Sequence, residues 1–194
     1  MEFIPENISS LGDICYTLCK GRSVFEYRAA CVLDRNNISE SLKNIRYAEY
    51  NRIKSAPVYF DLGNVNTEDA AYAAKKQLIL SVARLIGNFG GIIINGQKYT
   101  LNEFEDGNIR NSDGESETFP KKSLIVSVDS EETQNAMCVK SDDLAERFKV
   151  MSLFTDIFLR GGKIIWEDMP ELSECGITSL PNYPFNNRSI WLYI

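Results

Sequence analysis

The chain has 194 residues and a mass of 22.0 kDa, with 44% apolar and 25% charged residues, an ordinary globular composition that supplies one hydrophobic core. Twenty-seven acids against 21 bases give a net charge of −6 and a pI near 4.9, which argues against broad nucleic-acid binding through clustered Lys and Arg. Histidine is absent, and that excludes His general bases, Ser-His and Cys-His nucleophile pairs and every His-bearing metal site.

From the N-terminus, Met1 to Asn7 shows no basic segment followed by an apolar run, so no secretory leader is expected. A helix around Ser9 to Lys20 should end at Gly21. Val24 to Leu33 carries branched and aromatic residues at strand density. After the Asp34–Asn37 turn, a helix is expected over Ile38 to about Lys54, with Asn37 as N-cap and Glu40 three residues on. Its apolar stripe is Ile38, Leu42, Ile45 and Ile53.

Val58 to Leu62 is a short apolar strand. Thr67 is placed to cap a long helix running to about Ile86, with Glu68 and Asp69 favouring the helix dipole and Gly87 stopping it. Gly90-Gly91 opens a strand through Ile92, Ile93 and Ile94, extending to Leu101. Lys122 to Val128 and Ala136 to Val139 are further strands. Ser141 then caps a helix with Asp142 and Asp143 in its first turn, Gly161-Gly162 end it, and a strand over Lys163 to Trp166 follows.

Residues 67–94 and 141–166 thus share one pattern: cap, two acids, amphipathic helix, glycines, isoleucine strand. Two generic helix-to-strand connections with glycine stops account for it, and internal duplication is the alternative. Counted from Pro57, the order strand, helix, strand, strand, helix, strand is that of a split βαβ. The expected class is therefore α+β, with a ferredoxin-like antiparallel core from about residue 57 and an N-terminal helix-strand-helix extension. The chain reads as a single domain over 1–194, in which 1–56 packs on 57–194. The apolar tail Ile190 to Ile194 is expected to add a strand; the alternative is an interface, such as that of a homodimer.

No apolar run approaches the roughly 20 residues that span a bilayer, so no membrane association is expected. Five cysteines, at 15, 19, 31, 138 and 175, are an odd and sparse set that reads as buried thiols in a reducing cytoplasm. Cys15 and Cys19, one helical turn apart, would need two further thiols to hold a metal.

Residues 102–118 hold Glu103, Glu105, Asp106, Asp113, Glu115 and Glu117 against Arg110 alone. With Gly, Asn and Ser between the acids, this stretch is expected to be a projecting loop. Clustered carboxylates on a loop raise the encounter rate with a basic partner, and Phe104 beside them offers an aromatic anchor. Together with the absence of histidine, this favours a non-catalytic acidic protein without cofactor that binds and inhibits or regulates a basic protein, as immunity proteins, antitoxins and anti-defence inhibitors do.

An enzymatic alternative comes from Val58-Tyr59-Phe60-Asp61. An aspartate closing an apolar strand resembles the nucleophile motif of haloacid-dehalogenase-like phosphohydrolases. That resemblance implies a Mg²⁺-dependent enzyme in which Asp61 attacks phosphorus. It further implies roles for Ser127 after Leu124-Ile125-Val126, for a lysine such as Lys140, and for Asp168 after Ile164-Ile165-Trp166. The glycine pairs do not form a phosphate cradle, because they follow a helix and precede a strand, the reverse of the order a cradle needs.

Overall fold

A computed structural model describes residues 11–20, 26–50, 55–67, 69–107, 122–129 and 136–180. In chain order these form α1 (Leu11–Lys20), β1 (Tyr27–Ala30), α2 (Ile38–Lys43), β2 (Arg46–Glu49), β3 (Val58–Asp61) and α3 (Ala70–Ala83). There follow β4 (Phe89–Ile94), β5 (Gln97–Tyr99), α4 (Leu101–Asp106), β6 (Leu124–Val128), β7 (Ala136–Val139) and α5 (Arg147–Leu159). Short 3₁₀ turns occupy Ser141–Ala145, Trp166–Asp168 and Pro170–Leu172. The class is α+β, built on a mixed sheet in the order β5-β4-β3-β6-β7.

The antiparallel ferredoxin-like arrangement is not what these strands form. β3 pairs in parallel with both β4 and β6, β6 pairs in parallel with β7, and within this five-stranded sheet only the β4–β5 hairpin is antiparallel. The reason lies in the side chains. A strand buried on both faces carries a continuous apolar run, as parallel strands do, whereas a half-solvated antiparallel strand alternates. Val58 and Phe60 are 0% exposed and Tyr59 between them 4%, so β3 has no wet face. α3 then returns the chain so that β4 starts beside the beginning of β3, which is the geometry of a parallel crossover.

The expected strand over 90–101 is interrupted. Asn95 and Gly96 have φ of 53° and 77°, both left-handed, and turn the chain back so that Ile92 faces Tyr99 and Ile94 faces Gln97. An Asn-Gly pair accepts these angles at low cost, and its twist matches that of the flanking strands. Gly90 is required for another reason. A Cβ there would collide with the Tyr59 ring, which lies across β4.

The expected helix over 38–54 stops at Lys43, and Arg46–Glu49 pairs antiparallel with β1, placing Tyr27 opposite Glu49 and Ala29 opposite Tyr47. Asn37 precedes α2 without a side-chain cap; instead the Ser41 hydroxyl donates to the Asn37 carbonyl and accepts from the Asp34 N–H, both at 3.0 Å. The N-terminal part is thus helix-strand-helix-strand. It is held against α5 by Arg28, whose guanidinium lies 4.9 Å from the ring centres of both Tyr50 and Phe158. Arg28 Nη1 also donates to the carbonyls of Phe158 (2.6 Å) and Gly162 (3.3 Å) at the end of α5. Arg46 and Asp156 form an ion pair alongside.

The second expected helix is divided into the 3₁₀ turn over 141–145 and α5, and among the described residues no strand follows it. Ile164 makes one antiparallel bridge to Ile86, framed by Gly87 N–H to the Lys163 carbonyl and Ile165 N–H to the Leu85 carbonyl, both 2.8 Å. The core lies between the sheet and its helices, where Phe60, Ile92, Ile94, Phe104, Val126, Phe154 and Ile157 are all 0% exposed. The tail over 190–194 is outside the described residues.

Candidate functional site

In open sheets with parallel strands, ligands bind beyond the carboxyl ends of the strands. Here that edge carries Asp61, at the end of β3 and in register with Ser127 of β6 on one side and Ile93 of β4 on the other. Two of the four residues suggested for phosphoryl chemistry are therefore neighbours. Asp61, however, is engaged in a turn: its Oδ1 accepts the Gly63 N–H at 2.9 Å, with Gly63 at φ 62°. Ser127 is only 3% exposed.

Lys140 follows β7 at the same edge and is exposed, while its carbonyl accepts the Asp143 N–H at 3.0 Å. Asp168 is at the other end of the sheet. It belongs to the turn after Ile164, and Ile164 bridges to Ile86, just before β4 begins. The structure thus separates Asp168 from Asp61, because 163–166 docks on the α3–β4 connection instead of entering the sheet.

The carboxylate best fixed at the carboxyl edge is Asp129, which follows β6 at φ 58°. It takes the Lys75 ammonium at 2.7 Å on Oδ2 and the Ser141 N–H at 2.7 Å on Oδ1. Burial works to raise its pKa, but Lys75 and the Ser141 donors outweigh that and hold it below the usual carboxylate range. A lysine ammonium here already supplies the positive charge that Mg²⁺ would bring. Among the described residues, no three His, Cys, Asp or Glu side chains are grouped to hold a metal. Cys15 and Cys19 are pushed up to about 11 and 12, chiefly by burial, which keeps both as protonated apolar thiols.

The acidic segment differs from the expected loop in its first part. Leu101–Asp106 is a helix started by a capping box: the Thr100 hydroxyl accepts the Glu103 N–H at 3.3 Å, and Glu103 Oε2 accepts the Thr100 N–H at 2.9 Å. Gly107, at φ 74°, ends it. Two residues expected to face a partner, Glu103 and Phe104, are thereby committed within the fold. Glu103 is used in the cap. Glu105 pairs with Arg84, which holds its carboxyl below the usual range. Phe104 is 0% exposed and meets Tyr72 edge-on at 6.4 Å, so it is core and not a contact residue. Asp106 is exposed. Asp113, Glu115 and Glu117 lie outside the described residues. Thr100-x-x-Glu103 was the local signal of this helix, masked by the density of acids after it.

Two surface features went unmarked in the sequence. On the β1–β2 ribbon, Tyr27 and Tyr47 are 74% and 72% exposed and occupy one face with Ala29 and Glu49, while Arg28 on the opposite face reaches α5. The alternation in Tyr-Arg-Ala-Ala and Arg-Tyr-Ala-Glu was its signal. Beside the ribbon, an open cleft of about 480 Å³ separates the 31–46 segment from the start of α5, with Phe148 61% exposed in its wall.

No helix among the described residues is long and apolar enough to cross a membrane. A family model described as "CurL-like, PKS C-terminal" matches residues 3–42, a minor part of the chain. Neither the curated proteins nor the solved structures contain a match to this chain.

Proposed function

We propose that this is a non-catalytic acidic interaction protein that binds a more basic protein and inhibits or regulates it, in the manner of immunity proteins, antitoxins and anti-defence inhibitors. The observation that carries this reading is the pair of tyrosines on the outer ribbon face. Leaving two tyrosine rings about three-quarters exposed (74% and 72%) wastes apolar area that folding would otherwise bury. Tyrosine gives a partner large contact area at little rotamer cost. Glu49 on the same face, in a chain of net charge −6, selects a cationic partner, and Arg or Lys can stack on the rings.

The test uses capture from cells of the native host with the wild-type chain and with Tyr27→Ser/Tyr47→Ser as baits. A basic partner should be retained by the wild type and lost from the double variant, and its association rate should fall as salt rises. An acidic partner, or one held equally by both baits, would count against this reading.

A further inference from the structure

We propose that the cleft between the 31–46 segment and α5 is the receptor for an arginine side chain of the basic partner. This rests on the preceding reading and names which group of the partner is recognised and where. The cleft, about 480 Å³ and open to solvent, has room to admit an arginine side chain. Val32, Ile45 and Phe148 give it an apolar lining, against which the three-carbon stem of an arginine can lie. Asp34 and Glu40 line it as well.

The charge balance favours a cation. Asp34 and Glu40 against Arg46, which pairs with Asp156 on α5, leave the lining with one excess negative charge. Among the described residues the Glu40 carboxylate meets Lys43, three residues along the same short helix and 2.7 Å away, an exposed surface pair that a better-placed cation can displace. Asp34 uses Oδ1 to hold the Asn36 N–H at 2.9 Å, which fixes its carboxylate at the rim.

Phe148 decides between arginine and lysine. A large ring left 61% exposed at the start of a helix offers a stacking face, and the planar guanidinium stacks on aromatic rings while also forming two parallel bonds to a carboxylate. The molecule already uses this chemistry next door, where Arg28 lies between the rings of Tyr50 and Phe158. The cleft and the tyrosine face flank the same ribbon, so one partner can meet both.

The probe is acetyl-Arg-Arg-Arg-amide, followed by amide chemical shifts of the full-length ¹⁵N-labelled chain, with the citrulline tripeptide, equal in shape but uncharged, as control. Saturable shifts are expected within 31–46 and 147–152 for the arginine peptide and not for the citrulline peptide. Asp34→Asn/Glu40→Gln should weaken binding about tenfold, as loss of charged hydrogen bonds does. Phe148→Ala, at an exposed position that the fold does not need, should weaken it several-fold. Arginine-peptide shifts confined to the outer ribbon face or to α4 would overturn the cleft and leave the basic-partner reading standing. Equal binding of both peptides, or no saturable shift anywhere, would overturn the cleft and count against a cationic partner too.

Discussion

Residues 70–94 and 147–166 were written in nearly the same local code, yet they end differently. In the first, α3 and its glycines lead into β4, which is paired on both sides and fully buried at Ile92 and Ile94. In the second, α5 and its glycines lead to one bridge at Ile164 and then a 3₁₀ turn. Both glycine pairs admit a tyrosine ring: a Cβ at Gly90 would strike Tyr59, and one at Gly161 would strike Tyr50. Helix, stop and apolar triplet are therefore a local instruction to leave the helix and extend. Whether the extension becomes a strand depends on a free neighbour in the sheet, and only the first unit finds one.

The largest expected effect that probes this contrast comes from the isoleucines. Ile94→Ala, at a central strand position, should cost about 4 kcal/mol in urea unfolding, and Ile164→Ala about 2 kcal/mol, since its site borders a turn that can collapse. Equal losses would mean that the second extension carries as much of the core as the first. Next come the glycines. Gly161→Ala combines the ring clash with a φ of 97°, so about 3 kcal/mol is expected, against about 2 kcal/mol for Gly90→Ala, which meets the clash alone.

Asn88 ties the two units together. Its side chain donates to the Ala56 carbonyl and accepts the Lys163 N–H at 3.0 Å. Asn88→Ala should cost about 2 kcal/mol and make Ile164→Ala nearly silent on that background, as a double-mutant cycle would report. Strict additivity would separate the units.

The smallest effect is expected at Asp129, which links α3 to the 3₁₀ turn before α5 through Lys75 and Ser141. Its folded pKa is depressed, so its contribution is present above the unfolded value near 3.9 and is lost as pH falls through the lower folded value. Because the pair is half exposed, Asp129→Asn should cost less than about 1 kcal/mol at pH 7, and the difference from wild type should vanish at the acid end of a pH series. A difference that persists there would assign the effect to packing instead of charge.

Much of this architecture was readable in advance. The apolar runs at 58–61, 92–94 and 124–128 and the weaker strand at 136–139 match the expectation, whereas α3 is shorter at both ends than the expected 67–86 and α5 starts at Arg147, after the 3₁₀ turn. Asn95-Gly96 and Thr100-x-x-Glu103 are equally local signals, obscured by the isoleucine run and the acids around them. Parallel pairing was foreshadowed by the unbroken apolar character of Val58 to Phe60, but element order alone pointed to a split βαβ.

The candidate site was less legible. Asp61 and Ser127 do meet, while Asp168 was drawn to the far end by the Ile86–Ile164 bridge. The exposure of Tyr27 and Tyr47 depended on which strand would pair with β1, and a helical stripe from Ile38 to Ile53 concealed that strand.

By itself the sequence determined where the apolar runs lie, that glycines follow α3 and α5, and what net charge the chain carries, since steric limits, turn chemistry and side-chain ionisation act within a few residues. The tertiary structure alone decided the direction of the strands, which carboxylates were consumed by Arg84 or Lys75, and which aromatic rings stayed outside. Those outcomes depend on contacts between residues tens of positions apart, each competing for a limited number of neighbours.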